Sequence, residues 1–475
     1  MSDESPVSNQ DKFDYAKQIR NELNAISPTM CMAKWLQSTV TLYNGFTHSC
    51  HHPVAHKIDT TRLAKNHKEL HNTPIKFVAR EEMLKGIQTK ECNYCWNIEN
   101  LGTDHLSDRT YKSANTWAWK HKDAVLESGI GENINPTYFE VAFDSTCNFK
   151  CTYCSPDVSS RIMEDVRTHG PYELTNHKMH DLSYLAQLDK IPIHHKEYNP
   201  YVEAFWKWWP ELYSSLMTFR ITGGEPLLST HTWKVLEHIA DAPRPDFTLA
   251  INTNMGVPRK MIDKLIEVTN RITPNIKEFQ VFTSAEAAGE QCEYIRDGIV
   301  WSEFKENCEL FLANTHPDTR LGFSVTSNSL GVTSFTEFLK FIVGLRKKFN
   351  TDNAYNRIPM MISYLRWPNF ICLVNLPQDV KVKYAAEWLE YARSESFENK
   401  GYGEIGGIYL EEIDQLERLC EFMMSKNIGE PDMSDFYMFY TQYDKRRGKD
   451  FLKTFPELEG HWNDCKAVAK KFGKE

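Results

Sequence analysis

Short runs of alternating or branched apolar residues recur through the middle of the chain, with longer segments of helical periodicity between them. Thr137–Phe143, Met217–Thr222, Phe247–Asn254, Phe279–Ser284, Leu321–Thr326 and Pro359–Leu365 predict six strands. Trp233–Ala240 and Phe335–Val343 place apolar residues on one helical face and predict amphipathic helices between strands. Strand and helix in alternation predict an α/β fold, in which sites form at the C-terminal ends of the strands. After the sixth strand, Lys381–Phe397 and Glu411–Lys426 read as helices, and Phe451–Gly460 continues a helical extension. Tyr201–Pro210 is an aromatic helix that either covers the mouth of the strand array or packs its tryptophans against it.

The first strand runs into Cys147, Cys151 and Cys154, in the order Cys-Asn-Phe-Lys-Cys-Thr-Tyr-Cys. Three thiolates hold three irons of a 4Fe–4S cube and leave the fourth iron open, whereas ordinary electron-transfer clusters take four cysteines. A zinc knuckle or three unrelated buried thiols would show the same spacing. The second strand runs into Gly223, Gly224, Glu225 and Pro226. Two glycines let a backbone approach a ligand closely, Glu225 offers a carboxylate for an ammonium group, and Pro226 fixes the turn. A plain turn is the other reading of these four residues.

Together, in this order and each at a strand end, the two segments resemble the radical S-adenosylmethionine (radical SAM) enzymes. The resemblance implies a partial (β/α)6 TIM-like barrel over residues 135–370, with a 4Fe–4S cluster on Cys147, Cys151 and Cys154. It implies that S-adenosylmethionine chelates the open iron through its amino and carboxylate groups, beside the Gly223–Pro226 turn. It further implies reductive cleavage to a 5′-deoxyadenosyl radical that takes hydrogen from a substrate, with electrons from a partner such as flavodoxin or ferredoxin. Asn252 ends the third strand among polar residues that would face a ligand. Ser284 and Glu286 match the family's ribose-holding serine and acid, and Arg296 matches its carboxylate-binding arginine. A helical surface ion pair is the alternative for Glu286 and Arg296.

A second constellation lies upstream. Cys31, Cys50, Cys92 and Cys95 suffice to close one site, for which zinc and a 4Fe–4S cluster compete. Cys31, Gly45 and Cys50 resemble the opening of the twitch or SPASM auxiliary-cluster domain, here before the barrel, over residues 25–100, rather than after it. That resemblance implies a second, auxiliary 4Fe–4S cluster. His51, His52 and His56 either replace a cysteine or are polar residues of a turn. Cys292, Cys308, Cys372, Cys420 and Cys465 have no paired spacing and read as buried small hydrophobes. Residues 97–135 bridge the small domain to the barrel, and residues 371–475 form the mostly helical C-terminal extension.

Composition narrows the class. The 475 residues are 41% hydrophobic and 12% aromatic, which indicates a folded globular protein of two or three domains. No apolar run reaches membrane-spanning length, and the polar start Met1–Pro6 is unlike a secretory signal. A reducing cytoplasm suits the cysteines. The net charge of −9 argues against nucleic acid as a partner, and Lys445–Lys449 reads as a solvated helix end. The expected function is a radical SAM enzyme acting on a peptide or small metabolite. The alternative is a non-catalytic iron–sulfur or zinc-binding regulator on the same scaffold.

Overall fold

The computed structural model describes residues 9–102, 105–351, 355–397, 405–425 and 429–474. The start Met1–Pro6 and Lys426, the last residue of one expected helix, lie outside them. Eleven strands are present among the described residues. These are β1 (Gln37–Thr41), β2 (Phe46–His48), β3 (His56–Lys57), β4 (Tyr138–Ala142), β5 (Lys150–Cys151), β6 (Thr218–Thr222), β7 (Thr248–Thr253), β8 (Glu278–Ser284), β9 (Arg296–Asp297), β10 (Arg320–Ser327) and β11 (Met360–Tyr364). All six strands read from the sequence are here, and the fold is α/β with mostly parallel pairing.

The chain divides into two compact units. The first comprises residues 1–144, 193–222 and 246–249. In it β1, β4 and β6 pair in parallel, and β2 and β3 extend the β1 side antiparallel. The segment carrying the upstream cysteines therefore contributes strands to the same sheet as β4, a feature its weak alternation did not announce. Phe139 and Val141 are buried on one face of β4, and Tyr138 and Glu140 stand half-buried or nearly so on the other. The helix Pro200–Ser215 covers the Phe139 face. Asn199 caps it by accepting from the amides of Tyr201 and Val202, and Pro200 opens it. Its buried residues recur at helical spacing, with Trp208 5.8 Å from Phe139 and Trp209 5.1 Å from Phe219, centroid to centroid. Each such burial contributes about 1.5–3 kcal/mol. The aromatic cluster is thus core packing and not a cover.

The second unit comprises residues 145–192, 223–245 and 250–475. Here β8, β10 and β11 pair in parallel, and β5 and β9 form a short antiparallel ladder. The amphipathic helices Thr230–Asp241 and Phe335–Phe349 lie where the periodicity predicts. The C-terminal helix Glu430–Arg447 corrects the reading of Lys445–Lys449 as a solvated end. Arg446 and Arg447 reach Asp165, itself buried, at 3.4 and 3.1 Å. Arg447 and Lys449 reach Asp297 at 3.3 and 2.9 Å. These basic side chains are consumed by carboxylates distant in sequence, so they are neither a solvated face nor an exposed patch.

Candidate active site and upstream cysteine centre

The three downstream cysteines fall in one loop of the second unit, fixed at several points. The ladder of β5 and β9 sets Cys151 opposite Arg296 and Lys150 opposite Asp297. The Cys147 amide donates to Ser160 Oγ at 3.1 Å, and the Phe149 amide donates to Cys147 Sγ at 3.5 Å. His180 Nε2 lies 3.2 Å from the Cys154 carbonyl and is the ring nitrogen able to donate to it. The thiols lie within electrostatic reach of one another. Burial, then Cys151 and Cys147, raise Cys154 well above the ordinary thiol range. Burial pushes Cys151 up to about 12, against the lowering influence of Arg296. Such thiols hold their protons until a metal displaces them. Three soft donors on one partly enclosed loop are the donor type of an iron–sulfur cluster.

The turn after β6 packs on this loop. Gly223 sits at φ +130°, which favours glycine. A Cβ on Gly224 would lie 2.6 Å from the Ser145 carbonyl oxygen and would also collide with that of Thr146. The Glu225 amide donates to the Thr146 carbonyl at 2.7 Å, so turn and loop are joined backbone to backbone. The Glu225 carboxylate, expected to meet an ammonium group, is already tied through both oxygens. It accepts from the Leu227 amide at 3.0 Å and the Asn254 amide at 2.6 Å. Burial pushes it up to about 7. Pro226 opens the short helix Pro226–Leu228.

Two asparagines that the sequence did not single out complete the tie. Asn254 Nδ2 donates to Asn148 Oδ1 at 2.8 Å, and Asn148 Nδ2 donates to the Gly256 carbonyl at 2.8 Å. Asn148 lies inside the cysteine motif, a signal that was available. Asn252 and Ser284 stand half-buried toward the C-terminal ends of β7 and β8. Glu286 and Arg296 are buried and form an ion pair. Arg296 Nε and Nη2 both donate to Glu286 Oε2, at 2.9 and 2.6 Å. Tyr153, the aromatic of the cysteine motif, donates to Glu286 Oε1 at 3.1 Å. Burial rules out the surface-pair reading, while the pair itself is real.

In the first unit, Cys31, Cys50, Cys92 and Cys95 line one small cavity with Lys34, His52, Arg109 and Lys112. Cys31 precedes the helix Ala33–Leu36, Cys50 follows β2, Cys92 caps the helix Asn93–Glu99 and Cys95 lies within it. Burial pushes Cys92 and Cys95 up to about 12, and the charges of Cys31 and Cys50 add to the rise in both. The four thiols therefore sense one another across the cavity. Among the described residues no three of His, Cys, Asp and Glu stand close enough to hold a single ion. His52 and His56 have other partners. His52 Nε2 is 2.7 Å from Asp108 Oδ2, with its ring stacked 3.7 Å from Tyr94. His56 Nε2 is 2.8 Å from Thr73 Oγ1, and burial pushes His51 down to about 4. Cys292, Cys308, Cys372, Cys420 and Cys465 are all buried.

Comparison with known proteins bears on the middle of the chain. Residues 143–342 match the Radical SAM superfamily. A GTP 3′,8-cyclase of Syntrophomonas wolfei is 28% identical over 122 residues, 26% of this chain and 27% of that protein. The chain thus spans about a quarter of that relative's length. Among solved structures, SuiB of Streptococcus suis is 12% identical, covering 79% of this chain and 70% of SuiB at a TM-score of 0.32. SuiB bound to its precursor peptide SuiA is 14% identical, covering 75% and 69% at a TM-score of 0.29. Those structural likenesses are too slight to bear on what this chain does. The match over residues 143–342 takes in the cysteine loop, the glycine turn and the buried Glu286–Arg296 pair, and over that stretch the chain is similar to radical SAM enzymes.

Proposed function

We propose that this protein cleaves S-adenosylmethionine reductively and takes a hydrogen atom from a peptide or small-metabolite substrate. Cys147, Cys151 and Cys154 would hold the 4Fe–4S cluster, in a partial barrel over residues 135–370. Bound there, cluster and S-adenosylmethionine supply the electron and the sulfonium from which a 5′-deoxyadenosyl radical forms. The protein's part is placement. Gly224 brings the turn against the loop carbonyls, Glu225 locks the turn to the start of the next segment, and Asn148 and Asn254 fix the loop to the end of β7. Ser284, Asn252, Glu286 and Arg296 are the groups we assign to the nucleoside and methionine ends of the cofactor.

The observation that carries this reading is the joint one at the loop. Three thiols in mutual electrostatic reach are held beside a turn in which a single Cβ would not fit. Upstream, Cys31, Cys50, Cys92 and Cys95 would hold an auxiliary cluster in a twitch-like domain over residues 25–100, with zinc as the competing occupant. The C-terminal extension over residues 371–475 would brace the loop through Arg446 and Arg447. No helix among the described residues is long and apolar enough to cross a membrane, and we place the protein in the cytoplasm with a flavodoxin or ferredoxin as reductant. The cyclase relative puts nucleotides among the small molecules to try first.

The test is anaerobic reconstitution with iron and sulfide, then S-adenosylmethionine and dithionite, with 5′-deoxyadenosine as the readout. Alanine at Cys147, Cys151 or Cys154 should abolish the product. Product formed equally by these variants, or none from the reconstituted parent, would end the proposal.

A further inference from the structure

The ground behind the four-cysteine cavity is unusually rich in buried basic side chains. Lys34, Lys76, Arg80 and Arg109 are each at most 4% exposed. Charged side chains are almost never this buried unless paired. Two of them are paired. Lys34 meets Glu91, and Arg109 meets Glu99 at 2.8 Å. Lys76 and Arg80 form no ion pair among the described residues. Lys76 Nζ donates to Ser38 Oγ and Thr47 Oγ1 at 3.0 and 3.1 Å and stands 3.4 Å from His71 Nδ1. Arg80 donates to the Lys34 carbonyl at 3.1 Å and to Asn72 Oδ1 at 3.0 Å, and its third contact is His71. Hydroxyls, carbonyls and a histidine satisfy hydrogen bonds but supply no negative charge.

The cysteines supply it. Four thiolates bring more negative charge than an iron–sulfur core or a zinc ion cancels, so the filled centre is an anion. Lys34 lines the cavity itself. Burial works against its ammonium, yet Cys92 and Glu91 hold it above the ordinary lysine range. Lys76 sits one layer deeper and still feels Cys50, although burial and Arg80 press it well below the ordinary range.

We propose that Lys34 is the built-in counter-charge of the centre on Cys31, Cys50, Cys92 and Cys95, and that it sets the ease with which that centre accepts an electron. This rests on the auxiliary-cluster reading above. One-electron reduction makes the anion more negative, and a buried ammonium at the cavity wall favours the reduced form. Glu91, a carboxylate bound to the same ammonium, opposes it. Substitutions of the two residues should therefore move the potential in opposite directions, which a purely structural role would not do.

The experiment is a potentiometric titration of the reconstituted full-length protein followed by electron paramagnetic resonance. The upstream centre is recognised as the signal that S-adenosylmethionine does not alter. Lys34→Met should lower the equilibrium constant for its reduction about tenfold, a fall of 59 mV for a one-electron couple. Glu91→Gln should raise it, and Lys34→Arg should stay near the parent. If Lys34→Met fails to keep its iron, the rise in Glu91→Gln alone decides the matter. Loaded variants whose potentials do not move, or move together in one direction, overturn the proposal while leaving the cluster reading intact. A parent protein with one zinc, or with about four irons instead of about eight, removes the cluster reading and this inference with it.

Discussion

Gly224→Ala is the sharpest probe of the link between the glycine turn and the cysteine loop. The added methyl group would point at the Ser145 and Thr146 carbonyls, with the Ser145 oxygen 2.6 Å away where ordinary contact begins near 3.4 Å. Both obstacles are backbone, so no side chain can swing aside. Gly224 itself has no left-handed φ among the strained glycines, in contrast to Gly223, so the perturbation is steric and not conformational. Relief requires turn and loop to part by about 1 Å, and overpacking of this kind costs about 1–3 kcal/mol. Parting also stretches the Glu225 amide bond to the Thr146 carbonyl, 2.7 Å in the parent. A displacement of about 1 Å at a reacting centre lowers turnover about a hundredfold. The expected result is near-normal iron content, a modestly lower melting temperature and 5′-deoxyadenosine formation reduced about a hundredfold. Turnover within about twofold of the parent would show that the close approach of Gly224 is not what positions the cofactor.

Three further outcomes follow from buried charges. Asp165→Asn removes the carboxylate shared by Arg446, Arg447 and Lys150, and should destabilise the second unit by about 3 kcal/mol in chemical denaturation; a loss below about 0.5 kcal/mol would mean that the cluster is screened by water. Arg296→Ala strands Glu286 in the interior, so it should be less stable than Arg296→Ala combined with Glu286→Gln, and both should bind S-adenosylmethionine weakly by calorimetry while retaining iron. His461 is held neutral, with burial pushing it down to about 4, whereas the unfolded imidazole takes its proton near 6.5. The unfolded chain thus binds more protons between these values, and stability present above pH 6.5 falls as pH drops, by about 2 kcal/mol from pH 7 to pH 5; His461→Gln should flatten this slope in pH-dependent melts, and an unchanged slope would assign it to other groups.

What could be read along the chain was whatever local pattern controls. Strands β4, β6, β7, β8, β10 and β11 announce themselves because buried parallel strands are apolar runs bounded by turns. Cys147, Cys151 and Cys154 share one loop because only eight residues span them. The glycine turn was legible as a close approach, though not what it approaches, since Ser145 and Thr146 lie far upstream of Gly224. β1 was not legible. Gln37-Ser-Thr-Val-Thr has little alternation of apolarity, and it becomes a strand because β4 offers it a parallel partner. Local propensity yields to a tertiary partner in such segments.

The charged residues mark the limit of sequence reading most clearly. A run such as Lys-Arg-Arg-Gly-Lys looks solvated because charge usually is, and nothing nearby says otherwise. Its partners, Asp165 and Asp297, are separated from Arg447 by well over a hundred residues, and a pairing of that range leaves no periodic trace. The same holds for Lys34 and Lys76, which lie in ordinary-looking helical stretches yet are buried as deeply as the leucines around them. Burying a lysine without a carboxylate costs several kcal/mol, and Lys76 is buried in that way, whereas Lys34 keeps Glu91. At the downstream loop the basic residues Arg446, Arg447 and Lys449 are each matched to carboxylates, and the positive charge is spent on holding the loop. At the upstream cavity Lys76 and Arg80 are matched to none. The two cysteine sites thus differ in a way spacing cannot show: at one, Arg446, Arg447, Lys449 and Lys150 all reach Asp165 or Asp297, and at the other Lys76 and Arg80 reach hydroxyls, carbonyls and a histidine.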